Sequence, residues 1–575
     1  MKKYVDMILT DYEVGMFKDK NISNETLIEI KDHFTGAFPK AKWYELLYKN
    51  PYKLSLFKGF GFKRADIVAG KIGFDMKSPL RVVASVSYAL EQLSTGDTII
   101  PIENCLEYVS KLTSLNYNDV IPHILNFKIT SDYILLKGDF KRAKDVSEVR
   151  YVTTREWYET EKDYYNVIKK STKQNIFNLK YDIDKLTNEL TLNSGQKQGL
   201  ISMLNNNVNI LTGYGGTGKT YLVRAYLDIL KQNNISFVCL APTGIASKVF
   251  KQSTGYECQT IHSRYYNECH IEEEVIVLEE CSMLSVEHWS MILTMLNSNY
   301  VPRFLFIGDI NQLIPISAGC PFRDTFKLVE KNKLNVNIVK LTEIMRASSE
   351  TFIPYLSKEF CDTNKYMSEH EDEILNKVTF YPLSKNINLQ LIDIMTTHKF
   401  NYDNTYILTP KNVGEYGTKI INEYMDNLNG EDILFQDKNK IIRRGSYCMN
   451  IKNNARKNIF NGERLICVNG NKDYLEFKKL DDDKNITYKI KEVPKYISLS
   501  YAMSVHKSQG LTVENVIFIV NMRDIFMLNR NLVYTALSRA SKNLVIIYED
   551  SVMSISNQKY IIDNRKTFLS ELSKL

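Results

Sequence analysis

Two hydrophobic patterns divide the chain near residue 186. Before that point, apolar residues recur at helical spacing, as they do from Asn24 to Tyr48. Beyond it, short β-branched runs such as VNILTG, SFVCLAP, RFLFIGD and VIFIV alternate with helical segments. Strands that alternate with helices are typical of parallel sheets covered by helices, so this region is predicted to be α/β. Residues 1–185 are predicted to form a helical N-terminal domain.

The α/β region itself divides near residue 340 and is interrupted once. One α/β domain is predicted over residues 186–338, and a second over residues 339–435 together with 496–575. The intervening residues 436–495 contain Asn-Gly turns and short strands such as LEFKKL and ITYKIKEV. Turns and strands of this kind predict a small inserted β-barrel of the SH3-like type.

Composition excludes several classes of protein. The chain has 575 residues, of which 44% are hydrophobic and 25% charged, as in globular domains. It contains no run of about 18 apolar residues, so no membrane span is expected. Its nine cysteines are scattered and form no Cys-x-x-Cys pair, which favours reduced thiols in a cytoplasmic protein over disulfides or a zinc site.

The positive charge of the chain is small and unevenly placed. The 74 basic and 67 acidic residues give a net charge of +7. The predicted barrel, residues 436–495, holds fifteen Lys or Arg and eight Asp or Glu, which is also a net +7. Both a solvated surface and a surface that faces nucleic-acid phosphates fit this excess, and the second interpretation predicts phosphate contacts for Arg443, Arg444, Arg456 and Lys457.

A glycine-containing turn lies in the N-terminal segment LFKGFGFKRADIVAGKIG. Gly59-Phe60-Gly61 separates two predicted short helices, Leu54–Lys58 and Lys63–Lys71, and Ala65 and Ile67 are expected to pack them together. The pattern is that of a helix-hairpin-helix motif, whose glycines let backbone N–H groups approach a phosphate. A turn without a ligand and a protein contact are the alternatives.

A phosphate-binding loop follows the first α/β strand. Residues 213–220 read GYGGTGKT, which fits G-x-x-x-x-G-K-[ST] between strand VNIL and helix TYLVRAYLDIL. The backbone N–H groups of such a loop and the N-terminus of its helix hold the β-phosphate. Lys219 is expected to reach the β- and γ-phosphates, and the Thr220 hydroxyl to hold Mg²⁺. The sequence therefore predicts a site for ATP and Mg²⁺.

Acidic and amide side chains follow the next strands, where a P-loop enzyme needs them. Glu279 and Glu280 end the run VIVLEE, and Asp309 and Gln312 follow the run RFLFIG. One carboxylate is expected to support Mg²⁺ and the next to polarise the attacking water, while the glutamine senses the γ-phosphate.

Two arginines of the second α/β domain are candidates for the same site. Arg346 lies in LTEIMRAS and Arg539 in YTALSRAS. An arginine from an adjacent domain can stabilise charge on a transferring phosphoryl group. Ordinary surface ion pairs are the alternative for any single arginine.

The ordered set of motifs resembles the superfamily 1 helicases, and specifically the 1B branch with its RecD-, Dda- and Pif-like enzymes. The N-terminal segment from Asn50 to Gly73 is similar to the helix-hairpin-helix region of the long RecD-like helicases. The resemblance implies two RecA-like domains, a site for ATP and Mg²⁺ between them, and single-stranded DNA as the partner. Its motifs are GYGGTGKT, APTGIAS, TIHS, LEECSM, GDINQLIPI, LTEIMRA, YAMSVHKSQG and NLVYTALSRA.

The resemblance also implies roles for individual residues. It assigns catalysis to Lys219, Glu280, Gln312, Arg346 and Arg539, with Glu280 as the general base, and metal binding to Thr220 and Glu279. The nucleotide would contact Gln196 at the adenine edge and otherwise Gly213, Gly215, Gly216, Thr217, Gly218, Lys219, Thr220 and Gly510. The nucleic-acid backbone would contact Pro242, Thr243, Thr260, His262, Ser504, His506 and Lys507, besides Gly59 and Gly61.

Three departures from the family pattern bear on activity. Glu279 stands where the family usually has Asp, so the metal geometry is expected to differ. Ser504 stands where the family favours Thr, which keeps the hydroxyl. Only residues 263–271 separate TIHS from the next strand, too few for the strand-separating hairpin that the family carries there.

The expected function is an ATP-driven helicase or translocase that moves 5′→3′ on single-stranded DNA, with polarity taken from the resemblance alone. Translocation without efficient unwinding is one alternative, and an ATP-switched DNA-binding or loading factor is another. An RNA helicase is a third, since phosphate contacts do not separate DNA from RNA. A monomer that acts on forked duplex, with replication or recombination proteins as further partners, is expected.

Overall fold

The computed structural model of the chain describes most of its residues. These are Thr10, Glu13, Phe17, Ile22 and residues 24–37, 42–56, 61–125, 133–139, 141–181, 191–267, 270–297, 300–345, 353–354, 356–357, 378–438, 440–457, 459–481, 484–524, 527–549 and 565–572. They belong to two compact units, one made of Met1–Lys162 with Lys566–Leu575 and the other of Asp163–Arg565. The predicted domain boundaries at 185, 338, 435 and 495 stay predictions.

The first unit is mainly helical, as the apolar spacing predicts. Its helices are α1 (Asn24–Ala37), α2 (Trp43–Lys49), α3 (Phe62–Lys71), α4 (Pro79–Leu93), α5 (Ile102–Thr113), α6 (Tyr117–Ile124), the first half of α7 (Arg155–Ser171), and a 3₁₀ turn over Pro51–Leu56. A small antiparallel sheet has the strand order β1-β3-β2, with β1 (Ile100–Pro101), β2 (Tyr133–Leu136) and β3 (Tyr151–Thr154).

The two short helices predicted around the glycine-containing turn correspond to a 3₁₀ helix, Pro51–Leu56, and to the α-helix α3, Phe62–Lys71. Leu54 lies in the 3₁₀ turn Pro51–Leu56, and α3 begins at Phe62, while residues 57–60, with Gly59, lie outside the described residues. Ala65 is fully buried, as expected, but Ile67 is 61% exposed. Phe62, Ala65, Val68 and Ala69 form the buried face of α3, and Ile67 falls on the opposite face of that helix.

The last described residues of the chain complete the first unit. The backbone N–H groups of Thr98 and Ile99 donate to the carbonyl oxygen of Lys566, at 2.9 and 3.2 Å. The N–H of Phe568 donates to a carboxylate oxygen of Glu161 at 2.9 Å, within α18 (Phe568–Leu572). Residues 155–161 of α7 are thus held by the C-terminal segment.

The first half of the second unit is a six-stranded parallel sheet with the order β6-β5-β7-β8-β4-β9. Its strands are almost wholly buried because helices cover them, which explains their continuous apolar runs. The strands are β4 (Val208–Gly213), β5 (Phe237–Ala241), β6 (Gln259–Thr260), β7 (Val275–Leu278), β8 (Arg303–Gly308) and β9 (Asn337–Leu341). The helices are α8 (Ser194–Leu204), α9 (Lys219–Gln232), α10 (Gly244–Thr254), α11 (Ile261–Asn267), α12 (Val286–Met295) and α13 (Pro321–Glu330).

The second half is a five-stranded parallel sheet with the order β10-β21-β20-β11-β19. The prediction of two α/β regions with parallel sheets is therefore confirmed. The strands are β10 (Val378–Pro382), β11 (Thr405–Thr409), β19 (Ala502–Ser504), β20 (Val513–Val520) and β21 (Ala540–Tyr548). The helices are α14 (Ile387–Thr397), α15 (Thr418–Asn427) and α17 (Arg530–Leu537).

The insertion is an antiparallel sheet with the order β17-β16-β15-β14-β18, preceded by the hairpin β12-β13. Its segments are β12 (Ile433–Gln436), β13 (Ile441–Arg443), β14 (Tyr447–Asn450), β15 (Arg464–Gly470), β16 (Tyr474–Lys479), β17 (Asn485–Lys489), α16 (Val493–Tyr496) and β18 (Ile497–Leu499). No pairing among these strands joins β17 to β18, so closure into an SH3-like barrel stays a prediction.

Over the described ranges, no helix combines the length and the apolar character that crossing a membrane requires.

Candidate nucleotide site and nucleic-acid interface

The phosphate-binding loop connects β4 to α9, as its sequence predicts. Gly216 and Gly218 have φ values of +82° and +79°, in the left-handed region that favours glycine. A Cβ on Gly213 would lie 2.5 Å from the carbonyl oxygen of Leu341, so the start of the loop admits no side chain. The N-terminus of α9 begins at Lys219 and offers backbone N–H groups to an anion.

The Lys219 ammonium lies across this loop. Its Nζ donates to the carbonyl oxygens of Gly213 at 2.7 Å and Tyr214 at 3.0 Å. These bonds keep the positive charge beside the loop's backbone N–H groups. The residues therefore form an anion-binding site of the kind that triphosphates occupy.

Gln196 is held against the loop by its own helix cap. Asn193 caps α8, and the Gln196 side chain accepts from the Asn193 backbone N–H at 3.2 Å, which completes a capping box. Its Nε2 donates to the carbonyl oxygen of Thr217 at 3.3 Å, and a Cβ on Gly218 would lie 2.5 Å from that nitrogen. Gln196 therefore lies at the nucleotide site, and its reading of the adenine edge stays a prediction.

The two glutamates at the end of β7 are partly buried and interact. Burial raises the pKa of both carboxyls, and the neighbouring Glu280 raises that of Glu279 further. The positive charge of Lys219 lowers the pKa of both carboxyls. Glu280 has a φ of +49°, which is uncommon for a residue other than glycine. Such backbone strain persists where surrounding structure imposes it, and it is common at functional sites.

The residues proposed for Mg²⁺ fit a hard cation. Glu279 has a buried carboxylate oxygen with no hydrogen-bond partner among the described residues. A carboxylate oxygen and the Thr220 hydroxyl are ligands that Mg²⁺ accepts together with nucleotide phosphates and water. When bound, the ion would neutralise charge on the phosphates and relieve the repulsion between Glu279 and Glu280.

Gln312 and Asp309 lie in the loop after β8, inside the same site. Both are buried, at 6% and 1% exposure, and the side-chain oxygen of Gln312 has no hydrogen-bond partner among the described residues. The carboxylate of Asp309 acts on Glu280 by like-charge repulsion and contributes to raising its pKa. An amide with an unused oxygen is available to a water or a phosphate, as a γ-phosphate sensor requires.

The second half of this unit places Arg539 at the nucleotide site. Its guanidinium donates to the carbonyl oxygens of Thr535 at 3.0 Å and Leu511 at 2.8 Å, and to the Ser538 hydroxyl at 3.0 Å. Its positive charge lowers the pKa of Glu280, so the two groups interact across the boundary between the halves. Arg346 lies outside the described residues.

The residues of the first half that are predicted to contact nucleic acid stand at the starts of two helices. The Thr243 hydroxyl accepts from the Ala246 N–H at 3.1 Å at the start of α10, after the buried Pro242. The Thr260 hydroxyl accepts from the Ser263 N–H at 3.1 Å at the start of α11. Each hydroxyl still has its hydrogen to donate to a phosphate oxygen.

His262 follows Thr260 and stacks edge-to-face on His288 at 5.4 Å. The residues of the second half that are predicted to contact nucleic acid lie at the end of β19 and just after it. Ser504, the last residue of that strand, is buried, Lys507 is exposed, and burial lowers the pKa of His506. Gly510 has a φ of +74° and a Cβ there would lie 3.9 Å from Ala246 of α10. Gly61 precedes α3 with an extended backbone and no neighbour within 4 Å of a Cβ.

The structure corrects one expectation about the basic insertion. Arg443 does not face solvent, because it forms an ion pair of 2.8 Å with Asp426 of α15 and its side chain is 11% exposed. Arg444 pairs with Asp432 at the surface, whereas Arg456 and Lys452 are exposed. Part of the insertion's charge is therefore internal to the fold.

Two groups of contacts around the candidate site are not predicted by the sequence. Asn531 and Tyr534 of α17 contact the loop after β8, and Tyr534 also contacts the phosphate-binding loop. Lys248 of α10 pairs with Glu463 and Asp481 of the insertion at 2.9 and 3.0 Å. The spacing of Asn531 and Tyr534 on one helix face was a signal for the first group, whereas no local signal marks the second.

Three known families match successive parts of the chain. Residues 13–99 match the HHH domain of the ATP-dependent RecD2 DNA helicase, residues 191–359 match an AAA domain, and residues 499–547 match the UvrD-like helicase C-terminal domain. The N-terminal match covers the predicted helix-hairpin-helix, the AAA match covers the whole first parallel sheet, and the C-terminal match covers β19 and β20 and most of β21 in the second sheet.

Individual relatives are distant. An uncharacterised protein, MJ1519 of Methanocaldococcus jannaschii, is 24% identical over 97% of this chain and 57% of its own length. The ATP-dependent RecD2 DNA helicase of Deinococcus radiodurans is 25% identical over 61% of this chain and 48% of its own. The chain thus spans about half the length of these two curated relatives. The RecBCD enzyme subunit RecD of Buchnera aphidicola from Acyrthosiphon pisum is 23% identical over 88% of this chain and 97% of its own.

Among solved structures, that of Bacteroides Pif1 bound to single-stranded DNA is similar at 18% identity. It covers 65% of this chain and 96% of that one, with a TM-score of 0.43. The order of the three matched families along one chain, together with the similarity to RecD and RecD2 proteins, supports the resemblance to RecD-like helicases of superfamily 1B.

Proposed function

We propose that the chain is an ATP-hydrolysing DNA helicase or translocase that moves 5′→3′ on single-stranded DNA. The observation that carries the proposal is the composite nucleotide site. Its phosphate-binding loop and paired glutamates belong to the first parallel sheet, whereas Arg539 approaches Glu280 from the second half. A site divided in this way couples phosphate chemistry to the relative position of the two halves.

The residues divide the work of hydrolysis among themselves. Lys219 and the loop N–H groups hold the phosphates, while Thr220 and Glu279 hold Mg²⁺. Glu280 accepts a proton from the attacking water, and Gln312 senses the γ-phosphate. Arg539, with Arg346, stabilises the charge that develops on the transferring phosphoryl group.

The proposed strand path uses hydroxyls and backbone at the ends of β5, β6 and β19. Thr243, Thr260 and Ser504 lie at the starts of helical segments, where backbone N–H groups and hydroxyls occur together. Such groups contact phosphates without reading bases, so binding is expected to be independent of sequence. The helix-hairpin-helix match favours DNA over RNA as the partner.

ATP hydrolysis measured with and without single-stranded DNA tests the proposal. The intact chain is expected to show DNA-stimulated hydrolysis, and Lys219→Ala to lose hydrolysis while it keeps single-strand binding, because other residues contact the strand. A matched control is Lys251→Ala, at an exposed lysine on α10 that pairs with Glu257. Normal turnover by Lys219→Ala would contradict the assignment of the loop, and RNA-specific stimulation would redirect the proposal to RNA.

Translocation with weak unwinding is the second candidate, and one observation favours it. The described residues between β6 and β7 form the two-turn helix α11 and contain no hairpin. A wedge at this position is therefore not available from those residues. An ATP-switched loading factor is a third candidate, which DNA-stimulated multiple turnover would exclude.

A further inference from the structure

Tyr534 of α17 bridges two parts of the nucleotide site. Its side chain is fully buried, and its hydroxyl accepts from the backbone N–H of Gly215 in the phosphate-binding loop at 3.1 Å. The same hydroxyl donates to a carboxylate oxygen of Asp309, in the loop after β8. Its ring also packs edge-to-face on Tyr214, with centroids 6.3 Å apart. One phenol of the second half therefore bonds to two separate loops of the first.

The neighbouring turns of α17 contact the same loop through the same helix face. The Asn531 amide donates to the carbonyl oxygens of Asn311 at 2.6 Å and Gln312 at 3.2 Å. The Thr535 hydroxyl accepts from the Leu313 N–H at 3.1 Å. Asn531, Tyr534 and Thr535 are spaced by three and four residues and so lie on one side of the helix. The position of α17 over the loop is thus specified by several bonds.

The contact of Tyr534 with Gly215 differs from the other contacts of α17 because it involves the phosphate-binding loop. The others join α17 to a loop that carries Gln312, whereas this one uses an N–H group of the phosphate-binding loop itself. A phosphate oxygen is an alternative acceptor for such an N–H group. The hydrogen bond of Gly215 is therefore available either to α17 or to a bound nucleotide.

The end of α17 leads directly to Arg539. Ser538 lies between them, and a Cβ on Gly215 would be 3.7 Å from the Cβ of Ser538. Because the guanidinium of Arg539 bonds back to Thr535, its place follows that of the helix. A group that fixes α17 relative to Gly215 also fixes how far Arg539 stands from the phosphates.

We propose that Tyr534 is a positioning residue whose hydroxyl ties the Gly215 amide to the Asp309 carboxylate and so sets the place of Arg539 at the nucleotide. The inference rests on the proposed function and deepens it. Without nucleotide the hydroxyl accepts from the Gly215 N–H group, and when a phosphate takes that N–H group, the bond to Asp309 still holds α17 and aligns Arg539 for hydrolysis. Removal of the hydroxyl should therefore slow the chemical step without weakening ATP binding.

The test is Tyr534→Phe, which removes one oxygen and keeps the ring. We expect kcat for DNA-stimulated ATP hydrolysis to fall about tenfold, as for the loss of about 1.4 kcal/mol of transition-state stabilisation, with no rise in KM for ATP. Binding of a fluorescent ATP analogue should be equal to or tighter than that of the unchanged chain. Tyr256→Phe is the matched control, since Tyr256 also donates to an aspartate, Asp228, away from this site.

A double-mutant cycle with Asp309→Asn tests whether Tyr534 acts through that carboxylate. We expect the double variant to lose no more kcat than the worse single variant, because both remove the same interaction. Independent, multiplying losses would overturn the inference, as would an unchanged kcat or a raised KM at constant kcat in Tyr534→Phe. Should Tyr534→Phe fail to fold, Asp309→Asn alone must show the same fall in kcat without a rise in KM.

The outcome is separable from that of the proposed function. If the unchanged chain lacks DNA-stimulated hydrolysis that depends on Lys219, the proposed function fails and not the Tyr534 contact alone. If that hydrolysis is present and Tyr534→Phe matches the unchanged chain, the proposed function stands and the positioning role fails.

Discussion

Glu279 and Glu280 are adjacent in sequence but have different surroundings and different proposed roles. Glu279 has a buried oxygen free to meet a cation, whereas Glu280 interacts with Arg539 from the second half. The longer side chain of Glu279, where the family usually has Asp, is compatible with this division. The backbone of Glu280, at φ +49°, leaves the extended conformation of the strand at this residue.

Exchanging each glutamate for glutamine should separate the two tasks. We expect Glu280→Gln to bind ATP and to hydrolyse it at least a hundredfold more slowly, since a general base contributes about 10²–10⁴-fold. Glu279→Gln should instead raise the Mg²⁺ concentration needed for half-maximal hydrolysis. A Mg²⁺ titration of both variants distinguishes them, and identical curves would contradict the division of roles.

His288, beneath His262, should make stability sensitive to acid. Burial and the neighbouring His262 lower the pKa of His288 from 6.5 to about 4. The unfolded chain takes up this proton near pH 6.5 but the folded chain only near pH 4, so the free energy of unfolding falls as the pH falls between these values. The linked loss is on the order of 2–3 kcal/mol.

His288→Asn keeps a polar group near the Ser285 hydroxyl, to which the His288 Nδ1 is hydrogen-bonded at 3.0 Å. We expect its melting temperature to fall less than that of the unchanged chain between pH 6.5 and 4. Parallel curves for the two proteins would show that His288 does not titrate as its burial implies.

At the scale of elements, α10 and the insertion form a contact that no sequence motif predicts. Lys248 pairs with Glu463 and Asp481, and Phe460 lies so close to Gly244 that a side chain at that position would overlap its ring. Gly244 directly follows Thr243 of the proposed strand path. The insertion therefore reaches the helix whose N-terminus holds Thr243, a predicted nucleic-acid contact.

A methyl group at Gly244 should push the insertion away from α10. We expect Gly244→Ala to lower the free energy of unfolding by about 1–3 kcal/mol, the usual cost of overpacking, and to speed dissociation from single-stranded DNA. Phe460→Leu in the same chain should restore part of both quantities. Gly70→Ala is the control, because a Cβ at Gly70 has no neighbour within 4 Å. If Gly70→Ala lowered the free energy of unfolding as much as Gly244→Ala, the steric explanation would be contradicted.

The insertion's exposed charges should contribute to strand binding, whereas its buried arginine should contribute to stability. Neutralising Lys452 and Arg456 to glutamine is expected to reduce the slope of log K against log salt by about 1–1.5, because each phosphate contact on a single strand contributes about 0.7. Arg443→Gln should leave that slope unchanged and cost about 3–5 kcal/mol, since Asp426 would lose its buried partner. An unchanged slope for the first variant would assign those charges to a solvated surface.

At the scale of the whole molecule, the sequence predicts features that depend on residues close together in the chain. It does not predict contacts between residues far apart in the chain. The phosphate-binding loop depends on glycines within eight residues, so its geometry could be inferred from spacing. The bond from Gly215 to Tyr534 joins residues 319 positions apart, and no local pattern encodes it. Arg443 was misjudged for the same reason, because its carboxylate partner lies on another element.

Translocation and unwinding should separate in this molecule. The described residues between β6 and β7 supply a short helix where the family carries a hairpin, so a duplex ahead of the motor would open partly by fraying. DNA stacking is about 1.4 kcal/mol per base-pair step, and fraying is rarer in G/C-rich duplex. We therefore expect fast displacement of streptavidin from biotinylated single strands, with unwinding that slows most on G/C-rich forks. Equal unwinding of A/T-rich and G/C-rich forks, at the translocation rate, would reveal a wedge elsewhere.

The return of the chain's last described residues to the first unit has a consequence for how the protein is made. Backbone hydrogen bonds join Thr98 and Ile99 to Lys566, and the Phe568 N–H group donates to the Glu161 carboxylate. On the ribosome, the chain emerges from its N-terminus, so the first unit must wait through synthesis of residues 163–565 before these bonds can form. The nascent chain would carry an incomplete N-terminal unit while the second unit folds behind it, and chaperones have that interval in which to bind it.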